Sequence, residues 1–137
     1  MLIAAHRVEN ALHVPADAWL RGALEGDAAY GMSDLVLSGF LRIVTKARAL
    51  DPPTPLTAAM AFVRDVREPS HCVNVRPRAR HGQLFIDLVE STGARGNRVP
   101  DAYFAALAIE SRCEWITFDR GFARYSGLKW RSPLDPA

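Results

Sequence analysis

A chain of 137 residues, 49% of them hydrophobic and 23% charged, is long enough to bury one compact core and too short to support two full domains. Its formal charge of +2 argues against a strongly basic nucleic-acid-binding tail, although arginines gather at Arg76, Arg78 and Arg80 and again at Arg95 and Arg98. Cys72 and Cys113 stand alone, which argues against a zinc knuckle or a disulfide framework and leaves two reduced thiols as the expectation.

The apolar run Met1 to Ala5 is too short for a signal peptide or a membrane span, so a cytoplasmic protein with no membrane association is expected. Leu2 to Ala5 reads as the end of a strand. A helix is predicted from Pro15, a good first-turn residue, burying Trp19, Leu20, Ala23 and Leu24 and stopping at Gly26. Ser33 is placed to cap the next helix, on which Val36, Phe40, Ile43 and Val44 recur with helical spacing, so Asp34 falls in its first turn. Beyond the breaker segment Asp51-Pro52-Pro53-Thr54-Pro55, an amphipathic helix is predicted through Met60, Phe62, Val63 and Val66. Cys72 to Val75 reads as a short strand, and Leu84, Phe85, Leu88 and Val89 mark a helix ending near Gly93.

Residues 93–101 form a loop delivered into a helix. Asp101 opens the Ala-rich run to Ser111, whose small side chains permit close packing. Trp115, Ile116 and Thr117 read as a buried strand that ends in Phe118-Asp119-Arg120-Gly121-Phe122. The alternation of helical and strand-like runs predicts an α/β fold around a mostly parallel sheet, and Asp119 then lies at the carboxyl end of a strand, where such sheets place their ligands.

Three acids, Asp34, Asp101 and Asp119, therefore stand at junctions between a strand or turn and a helix. Each alone is explained by helix-terminus or turn chemistry, since carboxylates complement the positive end of a helix and cap turns. Together they suit a hard divalent cation, which takes oxygen ligands and can activate water against a phosphodiester. Competing chemistries find little support. His6, His13, His71 and His81 lack zinc-protease spacing, no Gly-x-Ser-x-Gly elbow occurs, and Gly93-Ala94-Arg95-Gly96 lacks the Lys-Ser/Thr pair of a phosphate loop. A receiver-like domain would need a phosphoacceptor Asp with a partner Lys, and no convincing pair is present.

The stretch Ser33 to Thr45, then Asn97 to Asp101-Ala102 with Ala105 to Ala108, then Thr117-Phe118-Asp119-Arg120-Gly121-Phe122, resembles the PIN-domain ribonuclease toxins of VapC type. The tail Gly127-Leu128-Lys129-Trp130 through Pro133-Leu134 is also similar to that family. The resemblance implies a three-layer α/β/α sandwich with a mostly parallel central sheet. It further implies an endoribonuclease dependent on Mg²⁺ or Mn²⁺ that leaves a 5′-phosphate and a 3′-hydroxyl, a VapB-type antitoxin as partner, and a homodimer. Asp34, Asp101 and Asp119 would be the catalytic and metal-binding acids, with Asn97 and Thr117 as supporting polar groups. Arg42, Arg95, Arg98 and Arg120 are the candidate contacts to RNA phosphates.

Two positions depart from the family pattern. Family members usually open with a strand ending in Asp-x-Asn, and the run after that motif resembles Leu2 to Arg7. The expectation is thus one PIN-like domain over residues 1–137 that lacks the start of its first strand, with a start assigned too far downstream preferred over true loss. Many members also carry an Asp where Gly121 stands, which bears on a second ion. The alternative reading is a catalytically impaired module that binds an antitoxin without cleaving RNA, using apolar faces at Val36, Phe40 and Val44 or at Phe62 and Val66.

Overall fold

Local capping chemistry and the burial of small apolar faces set the elements of this chain. The computed structural model describes residues 1–136, which form two compact units, Met1–Asn74 and the residues from Val75 onward.

In the first unit the order is α1 (Leu2–His6), α2 (His13–Glu25), β1 (Tyr30–Met32), α3 (Asp34–Val44), α4 (Leu56–Arg67) and β2 (Cys72–Asn74). The N-terminal run is a helix, not a strand end. Ala5 N donates to Met1 O and Arg7 N to Ile3 O, the helical pattern, and Leu2, Ala4 and Ala5 are buried. Periodicity cannot tell a five-residue apolar run in a strand from one in a helix, and the helix propensity of Ala tips the balance. Helix α2 starts two residues before Pro15 and stops at Gly26.

Ser33 caps α3, its hydroxyl accepting from Leu35 N at 3.2 Å. This helix buries Leu37, Phe40 and Val44, and α4 buries Ala59, Val63 and Val66. Phe40 stacks on Phe62 with ring centroids 4.9 Å apart, and His6 meets both rings edge-on. Phe40, Val44 and Val66 thus serve the core of this unit and do not form an open groove. Strands β1 and β2 pair in parallel, Tyr30 opposite Cys72 and Met32 opposite Asn74.

The second unit contains α5 (His81–Thr92), α6 (Arg98–Ser111), β3 (Trp115–Ile116), a 3₁₀ turn (Arg120–Arg124) and β4 (Trp130–Arg131). Gly93, at φ 64°, closes α5 in the left-handed conformation that glycine adopts without steric cost. Ala102, Ala105 and Ala106 are fully enclosed in α6 and form one core cluster with Leu88, Phe122 and Tyr125. Strands β3 and β4 pair in parallel, Trp115 opposite Trp130 and Ile116 opposite Arg131. The α/β class with parallel pairing is as expected, carried by a two-stranded sheet in each unit.

The histidines are structural. The rings of His13, His71 and His81 engage the carbonyls of Ala4, Ala23 and Tyr103 at 3.0, 2.9 and 3.0 Å. Both cysteines are free and half-buried.

Glu110, near the end of α6, is a buried carboxylate that the sequence did not single out. Its two oxygens accept from Arg78 N and Arg80 N, both at 2.8 Å, tying the 78–80 turn to α6. Burial alone would raise its pKa, but the two amides and the nearby Arg78 charge outweigh burial and hold it below the ordinary glutamate range. A depressed pKa adds stability that is present above the unfolded-state value and is lost as pH falls through the folded-state value. Glu110→Gln is therefore expected to lower the urea midpoint at neutral pH, with the gap to wild type closing as the solution is acidified below the usual glutamate range. A gap of constant size across that range would show that the charge on Glu110 does not hold the turn.

Candidate active site

Asp101 sits in the first turn of α6, and Asp119 follows β3 at its carboxyl end. The second unit brings these two carboxylates into each other's field. Burial and the neighbouring Asp119 charge both raise the Asp101 pKa, opposed by Arg124 and Arg98. Neither acid is in an ion pair among the described residues.

Asp119 is held by its own turn. Its Oδ1 accepts from Gly121 N at 2.7 Å, capping the 3₁₀ turn, and its backbone N donates to the hydroxyl of buried Thr117 at 3.1 Å. Its second oxygen is left for other chemistry. Thr117 thus touches the backbone of Asp119. Asn97 precedes α6 and is exposed, with no side-chain bond to the helix end.

Tyr125 was not anticipated. This buried side chain donates its hydroxyl to Arg98 O at 3.1 Å, which fastens the end of the 3₁₀ turn after Asp119 to the first residue of the helix bearing Asp101. Burial, then the Asp101 charge, raises its pKa and keeps the phenol protonated as a donor. The spacing of Phe122 and Tyr125 after Asp119 was the available signal, since residues three apart share a face of a 3₁₀ turn.

In the first unit Asp34 opens α3, as predicted from Ser33. Its side chain is 58% exposed and pairs with Arg67 of α4 at 3.1 Å, a partner the sequence did not reveal. Arg42 lies exposed in the last turn of α3. In the second unit Arg95 and Arg98 are exposed beside the start of α6, and Arg120 pairs with Asp135 at 3.1 Å. An open groove of about 530 Å³ in the first unit, lined by His6, Arg7, Glu9 and the 51–55 segment, contains none of the predicted site residues.

No group of three or more His, Cys, Asp or Glu side chains able to hold a metal ion is gathered among the described residues. The pair Asp101 and Asp119 fits a narrower demand. Mg²⁺ dehydrates reluctantly, keeps several waters and is commonly bound through only one or two carboxylates. A half-buried Asp101 with the Asp119 charge beside it presents that donor chemistry.

Residues 2–128 match the PIN domain family model. The chain belongs to the PIN-domain family, and within it to the VapC type. It is 36% identical over 135 residues to VapC ribonuclease Mb2897 of Mycobacterium bovis, an alignment spanning 98% of this chain and 92% of that protein. Ribonuclease VapC31 of Mycobacterium tuberculosis is 34% identical over 135 residues, spanning 98% and 95%, and Ribonuclease VapC25 of the same organism is 33% identical over 133 residues, spanning 97% and 94%. The resemblance read from the Ser33, Asn97 and Thr117 segments thus extends over nearly the whole PIN-like chain.

The influence of Asp119 on Asp101 is directly testable. In metal-free protein, Asp119→Asn removes one negative charge beside Asp101, so the Asp101 pKa is expected to move down toward the ordinary aspartate value when followed by carboxyl NMR. An unchanged titration would show that Asp119 does not bear on Asp101.

Proposed function

We propose that this protein is the toxin of a type II toxin–antitoxin system and acts as an endoribonuclease dependent on a divalent metal. The observation that carries this reading is the half-buried Asp101 facing the charge of Asp119 without an ion-pair partner among the described residues, in a chain of VapC type. Two carboxylates left so arranged repel one another, and a cation between them removes that repulsion.

Asp101 and Asp119 are the groups that would hold Mg²⁺ or Mn²⁺, and Asp34 of α3 is proposed as the catalytic acid of the first unit. When bound, the ion supplies Lewis acidity toward water and neutralises charge on the phosphate. The protein's own residues do the positioning. Thr117 fixes the Asp119 backbone, Gly121 N fixes its carboxylate, and Tyr125 keeps the turn that bears it fastened to the start of α6. Arg42, Arg95, Arg98 and Arg120 are proposed to attract the RNA backbone, with Asn97 as a further polar contact at the loop. In-line attack of water on an RNA phosphodiester would leave a 5′-phosphate and a 3′-hydroxyl.

The partner in this reading is a VapB-type antitoxin, the active unit is a homodimer, and the place of action is the cytoplasm. No helix among the described residues is long and apolar enough to cross a membrane. The experiment is cleavage of structured RNA by the antitoxin-free protein with Mg²⁺ or Mn²⁺ and with EDTA, in parallel with Asp101→Ala. Cleavage that needs the metal and falls by at least about a hundredfold in the variant is expected, the scale of losing a principal charge-stabilising group. Equal cleavage by the variant would remove Asp101 from the site, and metal-independent cleavage would remove the metal.

A further inference from the structure

Arg124 closes the 3₁₀ turn that begins after Asp119, and its guanidinium is fixed by the Gly121 carbonyl of that turn. Its Nε donates to Gly121 O at 2.7 Å. Gly121 makes room for this arrangement: a Cβ there would lie 2.8 Å from Asp119 Oδ1 and 3.0 Å from Arg124 Nη2. The guanidinium and the Asp119 carboxylate therefore flank the space that a methyl group would fill. With Nε engaged, the Nη1–Nη2 end of the fork remains, and Arg124 forms no ion pair among the described residues. Arg120, four residues earlier, is already engaged by Asp135. The Asp101 carboxyl, raised by burial and by Asp119, is also pulled back by Arg124, so this cation stands within the field of Asp101 as well as beside the Asp119 carboxylate.

A planar fork with two free donors suits the two oxygens of a phosphodiester better than a carboxylate already spoken for by a backbone amide. We propose that Arg124 is a further substrate-positioning residue, whose Nη edge grips a phosphate of single-stranded RNA and sets it beside Asp101 and Asp119. This assignment rests on the ribonuclease reading above. Gly121 belongs to the same device, because a Cβ there would crowd Asp119 Oδ1 and Arg124 Nη2 together.

The test is binding of a fluorescent, cleavage-resistant single-stranded RNA to the full chain in EDTA, followed by anisotropy across a salt series, which needs no catalysis. Arg124→Ala is expected to weaken binding about tenfold at low salt and to reduce the slope of log K against log salt by about 0.7, the loss of one single-strand phosphate contact. Arg124→Lys keeps the charge and should restore the slope while regaining only part of the affinity. Gly121→Ala keeps every charge and should still weaken binding. Denaturation midpoints identify any variant that fails to fold, in which case the other two decide. Wild-type affinity and slope in folded Arg124→Ala would overturn the assignment while leaving the ribonuclease reading intact. A wild-type chain that binds no RNA at any salt would overturn both.

Discussion

Two carboxylates held in each other's field are unfavourable without a cation, and the second unit is arranged to bear that repulsion. Helix α6 buries Ala102, Ala105 and Ala106 completely against Leu88, Phe122 and Tyr125. That packing leaves little freedom at the helix start, where Asp101 stands, because close-packed interiors respond to shifts as small as a methylene. On the other side, Asp119 is fixed by Thr117, by Gly121 N and, through the turn, by the Tyr125 hydroxyl on Arg98 O. Both acids thus stand on held segments, and a cation that neutralises their repulsion is favoured there.

Basic groups of the same unit complete the electrostatic balance. Arg98 and Arg124 each lower the proton affinity of Asp101 against the effects of burial and of Asp119. The same guanidinium groups are suited to polyanion contact, since surface arginines retain their charge at any working pH. A small net charge of +2 is therefore compatible with RNA as a substrate, because Arg98 and Arg124 act near Asp101 whatever the total charge of the chain.

The first unit supplies a different lesson about its acid. Ser33 caps α3 and so fixes Asp34 in the first turn, a placement that follows from local chemistry alone. Arg67 then approaches from α4 and pairs with it at 3.1 Å. Such an exposed pair contributes little stability, of the order of 1 kcal/mol or less, so a competing cation or a stronger acid–base contact displaces it readily.

The sequence by itself determined the α/β class, the caps at Ser33 and Gly93, the helix through Val63 and Val66, and the three acids at their junctions, because capping, periodicity and turn chemistry act over a few residues. The PIN-like character of the chain was legible for the same reason, being carried by short contiguous motifs. Leu2 to Ala5 reads as a strand end because so short an apolar run carries no decisive period, whereas the helix that it forms buries Leu2, Ala4 and Ala5. Only the tertiary structure decided that Asp119 stands in the field of Asp101, that Tyr125 ties Arg98, that Arg67 meets Asp34, and that Glu110 holds the Arg78 and Arg80 amides. Each of those contacts joins residues from different elements, and their meeting depends on packing distances that no local pattern encodes.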